Sequence, residues 1–143
     1  MQTAIKRWMV ATVMLITLPL VATACGFGEQ TADGYENASI AHTHDHWQQG
    51  AASPIPFMLL DVRTPEEYAA GHIKGAKLIP LQALADHLRD VPHDKQVYVY
   101  CQSGGRSARA AKFLAQHGYK NIENVKGGIE AWKAAGYPVE KRS

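Results

Sequence analysis

Cysteine is nearly missing from this chain. It occurs twice in 143 residues, too few for a disulfide framework, so each thiol needs its own explanation. Excess charge is scarce as well: 15 basic residues face 13 acidic ones, and setting aside Lys6 and Arg7 leaves the two signs equal. A neutral body has no broad electrostatic footprint for nucleic acid or anionic lipid. No internal repeat occurs. What is present is an ordinary globular balance, 46% apolar and 20% charged, which excludes a largely disordered or fibrous protein.

Residues 1–24 read as an export signal. Lys6 and Arg7 form a short positive start, and Trp8 to Ala24 is almost wholly apolar, broken only by threonines and Pro19. That run is at the short limit for spanning a bilayer and has no basic stop-transfer flank behind it. Ala22-Thr23-Ala24 is the small-x-small pattern of a secretory cleavage site, and with the next residue Val21-Ala22-Thr23-Ala24-Cys25 also resembles a bacterial lipobox. Both readings cut the same bond. In the lipobox reading, the chain is a membrane-anchored lipoprotein of the periplasm or cell envelope, held by several acyl chains on Cys25. In the plain secretory reading it is a soluble exported protein that begins with an incidental cysteine; an uncleaved anchor is the third. Residues 25–37, small and polar with Gly26, Gly28 and Gly34, read as a flexible tether. The folded body is expected over residues 38–141, enough for one domain and too little for two.

Within the body, short apolar runs alternate with helical patterns. Thr43 reads as a helix N-cap and Gly50 as its stop. Phe57-Met58-Leu59-Leu60 reads as a buried strand ending at Asp61. Thr64-Pro65-Glu66-Glu67 opens a helix that stops at Gly71. Lys77-Leu78-Ile79 is a short strand closed by Pro80, and Leu81, Leu84, Ala85 and Leu88 form one helical face. Val97-Tyr98-Val99-Tyr100 is a β-branched and aromatic strand with Cys101 directly at its end. Ala110, Phe113 and Leu114 mark a helix stopped by Gly118; Ile122 to Val125 is a last strand; Gly127-Gly128 leads into a helix containing Trp132. This alternation predicts an α/β fold, a mainly parallel central sheet with helices on both faces. In such sheets the reactive site lies beyond the carboxyl ends of the strands, where Cys101 stands.

Cys101-Gln102-Ser103-Gly104-Gly105-Arg106-Ser107 is the most informative stretch. A cysteine between a strand end and a glycine-permitted loop that opens a helix faces converging N–H groups and a positive helix terminus. These favour the thiolate, the nucleophilic form, and predict a lowered thiol pKa. Arg106 supplies a fixed cation for an oxyanion or for the loop carbonyls. Ser107 is read as the helix cap, with a hydrogen bond to the sulfur as the alternative.

Four motifs in order carry a resemblance: Leu59-Leu60-Asp61-Val62-Arg63; Glu66-Glu67-Tyr68 through Gly71-His72-Ile73 and Gly75-Ala76; Cys101 through Ser107; and Gly127-Gly128-Ile129-Glu130-Ala131-Trp132. Together they make the chain from about Ala38 to Lys141 resemble a single-domain rhodanese, a thiosulfate sulfurtransferase. The resemblance implies catalysis through Cys101, with Gln102, Ser103, Gly104, Gly105, Arg106 and Ser107 binding substrate. The thiolate takes sulfur from thiosulfate or a related small donor as a persulfide and passes it to a thiol, cyanide or protein acceptor, with no metal or organic cofactor. In related phosphatases and arsenate reductases five residues separate cysteine from arginine; the four here make a cradle suited to one sulfur atom. Gln102 stands where many members have arginine, which weakens the pull on a dianionic donor. A non-turnover persulfide carrier or interaction module of the same fold is the alternative function.

Asp61 and Arg63, two apart at a strand end, project to the same side and read as a structural ion pair supporting the site. Glu67 and His72 receive a fold-stabilising role, Trp132 packs beneath the loop, and Lys126 and Lys133 are surface charges. In the run His42, His44, His46, the first and third share a helical face; two imidazoles make an incomplete metal site, so the segment reads as a solvent-facing polar helix.

Overall fold

In the computed structural model, residues 28–141 are described; the segment read as an export signal and Cys25 lie outside them. Strands and helices alternate as β1 (Glu29–Gln30), β2 (Glu36–Ala38), α1 (Ile40–Gln49), β3 (Phe57–Asp61), α2 (Pro65–Ala70), β4 (Lys77–Leu78), a 3-10 segment (Leu81–Asp90), β5 (Gln96–Tyr100), α3 (Gly105–Gln116), β6 (Ile122–Val125) and α4 (Gly128–Ala134). The strands form one sheet in the order β1-β2-β6-β5-β3-β4. All neighbours are parallel except β1, which runs antiparallel to β2.

Alternation along the strands sorts side chains into two cores. Val97, Val99 and Cys101 join Leu60, with Ala110, Ala111 and Leu114 of α3, on one face. Tyr98 and Tyr100 join Leu59 on the other, under Ile129 and Trp132 of α4 and Trp47 of α1. Each fully buried aliphatic side chain contributes about 1.5–3 kcal/mol relative to exposure, so both layers are fixed by a period-two pattern. The α/β sheet with helices on both faces is the architecture expected from the sequence. Among the described residues, no helix is long and apolar enough to cross a membrane.

Several local features differ from expectation. Residues 29–37, read as tether, contain β1 and the first two residues of β2, and Asn37 pairs laterally with Asn124 through an amide hydrogen bond of 2.9 Å. Ser39, not Thr43, caps α1 by accepting the His42 N–H at 3.1 Å; Thr43 lies inside the helix, where its hydroxyl donates to the Ser39 carbonyl at 3.0 Å. The Leu81–Asp90 segment is 3-10 and broken at His87, although Leu84 is buried as its apolar spacing requires. Thr64 and Pro65 start α2 as expected, and Glu67 completes a capping box by accepting the Thr64 N–H at 2.9 Å.

Candidate active site

The reactive loop is built where two helix amino termini meet the end of β5. Gly104 adopts φ +105°, a left-handed conformation suited to glycine, and is the N-cap of α3. This turn aims the Gly104 N–H at Cys101 Sγ, 3.1 Å away. From below, α4 fastens the loop: the Ile129 N–H donates to the Cys101 carbonyl at 2.9 Å and the Glu130 N–H to the Gln102 carbonyl at 3.1 Å. Helix donors that would otherwise lack a partner are thereby satisfied by loop carbonyls. The approach is so close that a Cβ on Gly128, itself at φ +57°, would lie 2.4 Å from the Cys101 oxygen.

Ser107 is placed within the first turn of α3 rather than at its cap, because the glycine takes the cap position. Its hydroxyl reaches Sγ at 3.4 Å and the Gly104 carbonyl at 3.1 Å. The alternative role read from the sequence is therefore the one observed. Cys101 is buried, and burial alone pushes its thiol up. Hydrogen bonds from the Ser107 hydroxyl and from the N–H groups of Ser107, Gly104 and Ser103 outweigh that effect and leave the thiol below its ordinary pKa. The positive end of α3 acts in the same direction. Here burial and activation coexist, since the sulfur lies at the floor of a ring of donors.

The charges around the loop are committed to one another. Asp61 and Arg63 form the expected buried pair, with Nη2 2.7 Å from Oδ2, and Arg63 also donates to the Gly71 carbonyl at 2.8 Å. Arg63 Nη1 lies 3.5 Å from Gln102 Oε1, and the Gln102 amide donates to Glu130 at 3.0 Å. Arg106 is turned to Glu67 rather than to the loop carbonyls: its guanidinium makes two bonds, of 2.8 and 2.7 Å, to that carboxylate. Those bonds hold the Glu67 carboxyl down at about 2. Glu67 and Glu130 are thus the residues that sequence reasoning undervalued. A capping-box glutamate signalled the former, and an arginine flanking a buried thiol calls for a carboxylate partner.

His42, His44 and His46 do not form a solvent-facing face. His44 and His46 are each only 8% exposed; His44 stacks on Tyr137 at 3.6 Å between centroids, while His46 bonds Tyr98. Aromatic packing has taken up the imidazoles. His42 and His46 do share a side of the helix, both meeting the Tyr98 hydroxyl. Trp132 is fully buried, as expected, and donates to the Pro138 carbonyl at 2.8 Å.

The model of the Rhodanese-like domain matches residues 42–135. The chain belongs to the rhodanese-like domain family. A sulfurtransferase from Allochromatium vinosum is 40% identical over 91 residues, spanning 64% of this chain and 85% of that protein. The thiosulfate sulfurtransferase GlpE of Pseudomonas putida is 37% identical over 83 residues, 58% of this chain and 74% of GlpE. The crystal structure of a rhodanese-related protein from Thermoplasma volcanium superposes with a TM-score of 0.67 at 34% identity, covering 76% of this chain and all of that one. The rhodanese-like sheet, its strand-end cysteine and sulfurtransferase homology coincide in one molecule.

Proposed function

We propose that this protein is a rhodanese-type sulfurtransferase working through a persulfide on Cys101. The observation that carries the proposal is the convergence of the Gly104 N–H and the Ser107 hydroxyl on one sulfur at the end of a parallel strand. The thiolate attacks the outer sulfur of thiosulfate; the S–S bond of the donor breaks, sulfite leaves with the electron pair, and a new S–S bond forms on Cys101. An acceptor thiolate or cyanide then attacks the outer persulfide sulfur and returns Cys101 as thiolate. Splitting one transfer into two displacements is the advantage of covalent catalysis, and the loop N–H groups stabilise the anion at each stage. Both guanidinium groups beside the loop are paired with carboxylates, so a neutral alkyl persulfide is as well suited to the site as a dianion.

Turnover of thiosulfate and of an alkyl persulfide is expected for the wild type and absent in Cys101→Ser. Intact mass after donor exposure is expected to rise by one sulfur atom only when Cys101 is present. A wild type that gains the sulfur but turns over no faster than the mutant would be a carrier; one that gains no sulfur from either donor would end the proposal.

Export belongs to the same reading, supported by the Lys6-Arg7 start, the apolar run to Ala24 and the lipobox-like Val21–Cys25 segment. In this reading the protein works in the periplasm or cell envelope, anchored by lipid on Cys25. Labelling with a fatty-acid analogue is expected to mark the wild type and to fail on Cys25→Ala. Unlabelled wild-type protein in the soluble fraction would refute the anchor and leave sulfur transfer untouched.

A further inference from the structure

Chemistry unused by sulfur transfer is gathered at the opposite end of the strands. Glu36 of β2, Glu123 of β6 and Tyr98 of β5 lie abreast in one register row, and α1 lays His42, Asp45 and His46 over them. These six residues, with Pro54 and Ile55, line a cavity of about 570 Å³, a volume in the range of small-molecule sites. Tyr98 is three residues before Cys101, about 10 Å along the strand, and its ring points to the other core.

Two features make this cavity more than a cluster of acids. Like charges side by side on one face of a sheet repel, and here Glu36 and Glu123 are direct lateral neighbours. More decisively, Glu123 is only 5% exposed while its Oε2 has no hydrogen-bond partner. A buried acceptor without a donor is costly. The imidazole that faces it, His42 Nε2, is 3.9 Å away, beyond hydrogen-bond reach.

The proton directions lead away from Glu123. His46 Nε2 lies 2.8 Å from the Ile55 carbonyl, which can only accept, and 2.5 Å from the Ser53 hydroxyl, which donates to that same carbonyl at 2.9 Å, so the nitrogen carries the proton. In neutral His46, Nδ1 then accepts from the Tyr98 hydroxyl at 2.8 Å, and the Tyr98 oxygen accepts from His42 Nε2 at 3.1 Å. His42 is held below its ordinary pKa, first by burial and then by His46, against the pull of Asp45. A neutral His42 with its Nε2 proton directed at Tyr98 leaves the Glu123 oxygen without a donor.

The geometry points to a second ligand site in this cavity, for a small organic cation whose ammonium group donates to Glu123 and Glu36 while an apolar body lies against Pro54, Ile55 and the Tyr98 ring. An ammonium group brings three donors and one positive charge; Glu36 already accepts from the Gln30 amide, and Glu123 Oε2 is the oxygen that lacks a donor. The lining contains no lysine or arginine. Among the described residues no three His, Cys, Asp or Glu side chains are grouped to hold a metal ion, which favours an organic cation over a metal.

Burial, then Glu36, raises the Glu123 carboxyl to about 7. The groups facing it are Glu36 from β2, Tyr98 from β5, and His42, Asp45 and His46 from α1. A cation selects the ionised form, so binding at pH 8 is expected to be about tenfold tighter than at pH 6, following the ionised fraction of a group titrating near 7.

Benzylamine is a suitable probe, titrated into the full chain and followed by amide NMR shifts. Saturable shifts at Glu36, His42, Tyr98 and Glu123 are expected, together with the pH effect and at least a tenfold weakening in Glu123→Gln. Glu36→Gln is read in the same way should the first variant not fold. Cys101→Ser is expected to bind the amine like the wild type, so failure of sulfur transfer would leave this site standing. Equal binding of uncharged benzyl alcohol, no saturable shift, or unchanged affinity in a folded Glu123→Gln protein would each overturn the site.

Discussion

At the scale of single residues, the sulfur of Cys101 is governed by opposing effects whose balance rests on few donors. Burial raises the thiol, and the Ser107 hydroxyl heads the hydrogen bonds that lower it. A hydrogen bond to an ionised group is worth about 1.5–3 kcal/mol, and one pKa unit corresponds to about 1.4 kcal/mol. The Ser107 contact is long at 3.4 Å, so the lower end applies. Ser107→Ala is expected to raise the thiol pKa, read as a shift of the iodoacetamide alkylation profile to higher pH. An unmoved profile would assign activation to the backbone alone. The position of Cys101 was legible because the alternation Val97-Tyr98-Val99-Tyr100 ends there. The role of Ser107 was not legible, since serine suits a cap equally well. What decides is the left-handed Gly104, which occupies the cap and turns Ser107 inward.

At the scale of elements, the loop depends on what lies beneath it. The first N–H groups of α4 hold the carbonyls of Cys101 and Gln102, and Gly128 has no room for a side chain between them. An alanine there adds left-handed strain of roughly 1–2 kcal/mol to overpacking of about 1–3 kcal/mol. Gly128→Ala is therefore expected to cost about 2–5 kcal/mol in urea unfolding and to lower turnover at least tenfold. Gly136→Ala is the control: its φ is also positive, +77°, but nothing lies within 4 Å of the new Cβ. It is expected to lose only about 1–2 kcal/mol and to keep its turnover. Equal effects in the two variants would show backbone strain, rather than the close approach to the loop, to be the cause. The helices were legible from their caps and apolar spacing. Their joining across the site was not, because Glu67 with Arg106 and Glu130 with Gln102 are pairs 39 and 28 residues apart. No local period announces a contact that the sheet topology creates.

At the scale of the whole molecule, the parallel sheet separates two kinds of chemistry along one set of strands. Donors converge on the Cys101 sulfur beyond the carboxyl ends, and carboxylates gather near the amino ends. The row of Glu36, Glu123 and Tyr98 was hidden in the sequence because β2 lay in a stretch too polar to read as a strand, so its neighbour in the sheet was unknown. Its consequence for stability has a definite sign. The Glu123 carboxyl goes from 4.5, its unperturbed value, to about 7 in the fold, so between those values the folded chain binds more protons than the unfolded one. Stability from this group is present below pH 4.5 and is lost as pH rises through 7, with a ceiling of roughly 3 kcal/mol. Glu67, held at about 2 by Arg106, acts in the opposite sense and in a different window, contributing above pH 4.5 and losing its effect as pH falls toward 2. Urea unfolding of wild type and Glu123→Gln at pH 5, 6, 7 and 8 separates the two. The wild type is expected to weaken across the series, whereas Glu123→Gln stays nearly level and becomes the more stable protein by about 1–3 kcal/mol at pH 8. Parallel curves would mean that Glu123 ionises in the fold as readily as in the unfolded chain, and that its buried oxygen finds a donor in solution.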